Sequence, residues 1–108
     1  MYDYNAKILR IVDGDTVEVE LDLGFHIKYK NTVRLARINT AELRAKDIDE
    51  RNYAKQAKEF VASLLPVDSI VLVKSTSLDK YGRILGEIVV GDVNISDKML
   101  AESMARPY

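Results

Sequence analysis

The segment Thr16–Leu23 restricts the fold more than any other part of the chain. Val17, Val19, Leu21 and Leu23 alternate with Thr16, Glu18, Glu20 and Asp22. Side chains of a strand point alternately to opposite faces, so this repeat of two defines one dry face and one wet face. It predicts an antiparallel strand lying half-buried on a core. Upstream, Ala6–Val12 is rich in branched apolar residues and reads as a partner strand, with Asp13-Gly14-Asp15 as the turn between them. Downstream of Gly24, Phe25–Ile38 alternates in two pieces, Phe25/Ile27/Tyr29 and Val33/Leu35, with Asn31 marking a bulge or bend between them.

The period then changes. Asn39–Asp49 is polar and irregular and reads as a loop. From about Glu50 to Leu65 the spacing is helical, with Tyr53, Ala57, Phe60, Val61 and Leu64 on one stripe and Pro66 as the stop. Ser69–Lys74 and Tyr81–Val90 read as two closing strands. Ser96 is placed to cap a short second helix carrying Met99, Leu100 and Met104. The order β-β-β-α-β-β-α predicts a mainly-β, α+β fold. We expect a five-stranded OB-type barrel with two to three helices, as one domain over residues 1–108.

Composition removes several chemistries. Cysteine is absent, which excludes disulfide scaffolds, thiol nucleophiles, zinc fingers and iron–sulfur clusters. His26 is the one histidine and reads as a surface residue. Metal chemistry would have to use oxygen ligands, which suits Ca²⁺ or Mg²⁺. No apolar run approaches the ~18 residues of a membrane span, so no membrane partner is expected. Met1–Lys7 lacks the basic and apolar segments of a signal peptide. The chain as it stands is expected in the cytoplasm, or outside the cell if a leader has been removed. Monomer is the expectation for a small closed barrel.

The formal net charge is −1, from 16 bases and 17 acids, which speaks against coating nucleic acid through bulk charge. The distribution is uneven, however. Asp13–Asp22 carries five acids and no base, whereas Phe25–Arg37 carries Lys28, Lys30, Arg34 and Arg37 and no acid.

Three segments carry candidate chemistry. Asp13-Gly14-Asp15-Thr16 is either an ordinary Asp-Gly turn or a turn that aims the Asp15 carboxylate at a cation; its spacing is not that of an EF-hand. Arg34, in an alternating strand, faces either water or a pocket where its planar fork would suit a phosphate. Thr40 and Glu42 just beyond it would also serve as a helix-start cap. Asp79-Lys80-Tyr81-Gly82-Arg83 is either a charged turn or the delivery of a second guanidinium beside a Tyr that can stack.

Taken in order, IVDGDTVEV (11–19), TVRLARINTAEL (32–43), DKYGRILGEI (79–88) and VNISDKMLAESMARPY (93–108) resemble the staphylococcal nuclease (thermonuclease) family over nearly the whole chain. The resemblance implies an OB-fold barrel with three helices and Ca²⁺-dependent cleavage of phosphodiester bonds in DNA and RNA, leaving 3′-phosphorylated products. It places calcium ligands at Asp15, Asn39 and the Thr40 carbonyl, the essential glutamate at Glu42, and phosphate-binding arginines at Arg34 and Arg83. Tyr81 and Lys80 fall in the substrate-binding turn, and Tyr108, across one gap, matches a base-stacking tyrosine. Asn39 stands where the family commonly has Asp, which implies weaker calcium binding. Ala41 replaces a frequent Pro, and Arg37 stands where relatives often carry a small or apolar residue.

The low net charge implies weak steering of duplex DNA and a preference for single strands, whose unpaired bases can stack on Tyr. Two rival readings remain: a non-catalytic domain of this family that binds nucleic acid or a protein, and a plain OB-type oligonucleotide binder.

Overall fold

A parallel strand pair closes the sheet into a barrel. The computed structural model describes residues 2–108. The elements are β1 (Tyr2–Asp13), β2 (Thr16–Asp22), β3 (Lys28–Leu35), β4 (Ile38–Asn39), α1 (Ile48–Leu64), β5 (Ile70–Leu78), β6 (Ile84–Val90), β7 (Val93–Asn94), α2 (Ile95–Ala101) and β8 (Arg106–Pro107). The main sheet runs β3-β2-β1-β5-β6-β7, and β3 also pairs with β6. Val33, Arg34 and Leu35 lie beside Ile84, Leu85 and Gly86 in that parallel pair. Strands β1, β2, β3, β5 and β6 therefore form a closed five-stranded barrel, which removes the exposed edges an open sheet would leave. The expected α+β OB-fold is present, with two helices.

The alternation of β2 holds for Val17, Val19 and Leu21 but not at the ends: Leu23, expected on the dry face, lies beyond the strand and is exposed, and Thr16, expected on the wet face, is buried. Val17, Val19 and Leu21 are buried, and they meet Ile8, Val33, Leu35, Val73 and Ile88 in the barrel interior. Each such side chain contributes about 1.5–3 kcal/mol by leaving water. Helix α1 packs on β1 and α2 on β6. The buried face of α1 is Ala54, Ala57 and Val61, with Phe60 and Leu64 partly covered.

Several local expectations are corrected. Phe25–Ile27 is not strand: Phe25 and His26 take positive φ, and the chain turns before β3 begins at Lys28. Asn31 makes no bulge, because the β2–β3 register is unbroken from Thr16↔Arg34 to Asp22↔Lys28. Irregularities lie in β1 instead, between Ile8 and Arg10 and between Ile11 and Asp13, and in β5 between Ser75 and Ser77. Tyr53 leaves the helical stripe and is 65% exposed. Asn94, not Ser96, caps α2: its side chain accepts the Asp97 N–H, while Ser96 is buried with its hydroxyl unpartnered. Strand β6 begins at Ile84, so Tyr81–Arg83 belong to the preceding turn.

Two contacts fix the end of the barrel that carries the candidate residues. A Cβ on Gly14 would lie 2.8 Å from Ala57 Cβ and 3.0 Å from Thr40 Cγ2, so glycine lets the β1–β2 turn press against α1 and the loop after β4. The β3–β4 turn holds Arg37 at φ 69°, a conformation L side chains disfavour. Its guanidinium reaches Glu87 on β6 and Asp97 on α2, the latter at 2.7 Å, and its carbonyl accepts the Tyr108 N–H at 3.0 Å. Arg37 thereby ties this turn to β6, α2 and the end of β8.

Arg37→Ala removes these ion pairs and keeps the left-handed strain, and is expected to cost about 1–2 kcal/mol. Arg37→Gly loses the same pairs but relieves the strain, and is expected to cost less. Urea denaturation of both variants checks this; equal losses would show that backbone strain at position 37 is negligible.

Candidate active site

Asp15 is the hub of the site. The β1–β2 turn delivers it to the barrel end, where it is almost wholly buried. Its own N–H donates to Asp13 Oδ1 at 3.1 Å. Its Oδ1 accepts the Thr16 hydroxyl at 3.0 Å, and its Oδ2 accepts the Thr40 N–H at 3.2 Å. Arg34 Nη2 lies 3.5 Å from the same Oδ2. One carboxylate thus links the first turn, β3 and the segment after β4.

Arg34 faces this site rather than open water. Residue alternation sends Val33 and Leu35 into the core and Arg34 outward, beside Thr16. Its Nη1 donates to the Leu35 carbonyl at 2.6 Å and its Nη2 to Asn39 Oδ1 at 3.4 Å. The guanidinium carbon sits 5.7 Å from the centroid of the Tyr108 ring, within cation–π range. Pairing of β8 with β4, Asn39 opposite Arg106, brings Tyr108 to this end of the barrel.

Of the residues expected from sequence, Asp15, Arg34, Asn39, Thr40 and Tyr108 are joined by these contacts. Among the described residues no hydrogen bond or ion pair joins the Glu42 side chain to that group; it is exposed, on a cleft of about 960 Å³ that Asn39 and Thr40 also line. The cleft is acidic, with Asp47, Asp49, Glu50 and Glu102 on its walls. Arg83 is held in its own turn: its Nε donates to Asp79 Oδ2 at 2.7 Å, and its guanidinium lies 5.5 Å from the Tyr81 ring centroid. Lys80 Nζ lies 5.1 Å from the same centroid. The turn sits beside β3, since the Asn31 amide donates to the Gly82 carbonyl at 3.1 Å.

Two residues not singled out from sequence matter here. Asp79, read there as an exposed turn charge, orients Arg83; its place four residues earlier was the available signal. Asp13, read as part of a turn, accepts from Asp15.

The two aspartates titrate as a pair. Burial, then hydrogen bonding and repulsion from Asp15, push Asp13 up to about 6 from 3.8. Burial alone would also raise Asp15. It is outweighed by the proton shared from Asp13, the charge of Arg34, the Thr40 N–H and the Thr16 hydroxyl, so Asp15 stays below the ordinary carboxylate range. Burial opposes the same direction at Asp79, where hydrogen bonds from Arg83 and Tyr81 prevail and hold the carboxyl low.

The residues fit a hard divalent cation. Asp15 Oδ2 and Asn39 Oδ1 already converge on one positive group, Arg34 Nη2, and the donors are all oxygen. No group of three His, Asp or Glu side chains stands together among the described residues, so any such site would draw on amide and backbone oxygens as well. No described helix is long and apolar enough to cross a membrane.

A five-stranded OB barrel with an acid and an arginine joined at one end defines the class of protein. Residues 32–108 match the model of the family described as staphylococcal nuclease homologue. The chain belongs to that family. It is 33% identical over 96 residues to an uncharacterized protein of Bacillus anthracis, covering 87% of this chain and 42% of that protein. It is 27% identical over 101 residues to a thermonuclease of Staphylococcus hyicus, covering 93% and 57%. It is 28% identical over 104 residues to endonuclease YncB of Bacillus subtilis, covering 94% and 47%. The chain therefore spans about half the length of these relatives.

Folding binds a proton at Asp13 that the unfolded chain releases at lower pH. The stability this carboxyl contributes is complete below about pH 4 and is lost as pH rises through about 6. Asp13→Asn, which cannot ionise, should gain on the parent between pH 4 and pH 7. The gain is on the order of 1–2 kcal/mol once solvent screening of this half-buried group is allowed for. Denaturant titrations at the two pH values measure it; a pH-independent difference would contradict the assignment.

Proposed function

We propose that this domain is a nuclease that hydrolyses phosphodiester bonds of DNA, RNA or both, with Ca²⁺ as cofactor and single strands as the preferred substrate. The observation that carries the reading is the convergence of Asp15, Arg34, Asn39 and Thr40 at one end of the barrel. The relatives named thermonuclease and endonuclease support it.

Hydrolysis of a phosphodiester requires a water to attack an anion, and extra negative charge to be held in the transition state. Asp15, Asn39 and the Thr40 carbonyl would hold the cation, which when bound neutralises the phosphate and acidifies water. Hydrogen bonds from Thr16 and Thr40 fix the Asp15 carboxylate in advance, so little reorganisation is needed. Glu42 acts as general base or positions the attacking water. Arg34 and Arg83 grip the non-bridging oxygens, and their grip tightens as charge develops. Asp79 keeps the Arg83 fork oriented, and Tyr81, Lys80 and Tyr108 border the substrate. Asn39 contributes an oxygen without a charge, which lowers calcium affinity relative to a site with two aspartates.

A second reading, a non-catalytic domain that binds nucleic acid or a protein, draws on one feature. Arg34 is already engaged by Asp15, Asn39 and the Leu35 carbonyl, and no hydrogen bond or ion pair among the described residues joins Glu42 to that cluster.

Cleavage of single-stranded DNA and RNA in Ca²⁺, Mg²⁺ or chelator separates the two. The nuclease reading expects chelator to abolish cleavage and Glu42→Ala or Arg83→Ala to lower kcat/KM by about 10²–10⁴. Cleavage indifferent to all three would contradict it, and binding without cleavage would favour the second reading. Asn39→Asp is expected to tighten calcium binding about 5–50-fold by calorimetry; no change would remove Asn39 from the ligand set.

A further inference from the structure

The β2–β3 turn adopts an unfavourable backbone and covers nothing. Gly24, Phe25 and His26 have φ of 82°, 53° and 61°. Successive left-handed residues suit Asn and Gly, because a Cβ there crowds the neighbouring carbonyl. The turn is nevertheless firmly built. Ile27 N–H donates to the Gly24 carbonyl at 2.8 Å, Leu23 N–H to the Ile27 carbonyl at 2.9 Å, and Gly24 N–H to Asp22 Oδ1 at 2.9 Å. It holds out Phe25, which is 95% exposed, flanked in sequence by exposed Leu23, Ile27 and Tyr29. No acid occurs from Leu23 to Ala41, while His26, Lys28 and Lys30 lie in the tip and stem.

This tip is continuous with the candidate site. The Asn31 amide donates both to the Tyr29 hydroxyl, at 3.2 Å, and to the Gly82 carbonyl, at 3.1 Å. Beyond Gly82 lie the exposed Tyr81 ring and Arg83. On β3 itself, Lys28, Lys30, Thr32 and Arg34 share one face by alternation, the last being the phosphate clamp. Cations thus run along one face of β3 from the base of the tip to the place where the scissile group would sit, while Tyr29 and Asn31 take the opposite face and join the tip to the Gly82 turn. Lys28 pairs with Asp22 at 3.3 Å and Lys30 stands opposite Glu20, so the charge of the stem is largely balanced. A contact made here draws on stacking more than on phosphate capture.

We propose that the β2–β3 hairpin is a remote substrate subsite in which Phe25 stacks on an unpaired base of single-stranded nucleic acid. The proposal rests on the nuclease reading for the position of the scissile phosphate. Stacking on an aromatic ring is open to every base, so the subsite reads strandedness and length rather than sequence. Lys28 to Arg34 spans about 20 Å at ~3.3 Å per residue. That is roughly six stacked nucleotides at ~3.4 Å each, so shorter substrates fail to reach Phe25.

The test compares the parent chain with Phe25→Ser and Phe25→Tyr on thymidine oligonucleotides of 4 and 20 nucleotides. Phe25→Ser is expected to raise KM for the 20-mer about 5–30-fold with kcat unchanged. It should leave the 4-mer unaffected, and Phe25→Tyr should behave as the parent. Fluorescence anisotropy of labelled 20-mer at two salt concentrations provides a readout independent of cleavage, with a Phe25→Ser loss of similar size at both. If the parent cleaves but Phe25→Ser matches it in both assays, the subsite is overturned and the nuclease reading stands. If the parent does not cleave, yet binds the 20-mer more tightly than Phe25→Ser, the nuclease reading fails and the stacking contact stands. If Phe25→Ser leaves oligonucleotide binding intact but abolishes self-association, or binding to phosphatidylglycerol vesicles, the subsite is likewise overturned.

Discussion

The Asp15 carboxylate is the interaction on which the rest of this barrel end depends. It accepts from Thr16 and Thr40 and faces Arg34, so the first turn, the third strand and the segment after β4 are held through two oxygen atoms. Both members of the Asp15–Arg34 pair are largely buried. Removing one partner of such a pair leaves an uncompensated charge, which is why buried pairs are costly to break even where they add little net stability. The same preorganisation that keeps Asp15 ionised leaves its oxygens pointed at a cationic position, now filled by a guanidinium nitrogen. The structural contact and the proposed cation site therefore draw on the same atoms.

Much of the barrel was legible because alternation is a direct consequence of strand geometry. Val17, Val19 and Leu21 could only have faced a core, and they do. The alternation of Phe25, Ile27 and Tyr29 misled for a physical reason: a repeat of two cannot tell an apolar face that is buried from one presented to solvent on a turn. Tyr53 misled similarly, since the narrow contact of α1 with the barrel is filled by Ala54, Ala57 and Val61, and a large ring at position 53 is left outside. Asn94 takes the cap from Ser96 because the helix begins two residues earlier than its polar spacing suggested.

The site was legible only in part. Asp15, Arg34, Asn39 and Thr40 meet because strand pairing brings the start of β2 against the end of β3, and the motif spacing carries that information. The latch of Arg37 on Glu87 and Asp97 joins residues 50 and 60 positions apart, which no local pattern encodes, whereas the hold of Asp79 on Arg83 spans only four. The Arg37 latch also bears on function: the turn it holds carries Arg34 at one end and Asn39 and Thr40 at the other. Uneven charge is part of the same picture. The cleft beside Glu42 is lined by acids, which disfavour an anion, whereas the stretch from Leu23 to Ala41 carries none.

Amide chemical shifts during a Ca²⁺ titration of the full chain test most directly whether Asp15 and its neighbours hold a cation, as proposed. A cation held there gives saturable shifts confined to residues 13–16, 34 and 39–42, abolished by Asp15→Ala in a variant that remains folded. Shifts centred on Asp47, Asp49 and Glu50 in the acidic cleft, with residues 15 and 40 unmoved, would contradict it.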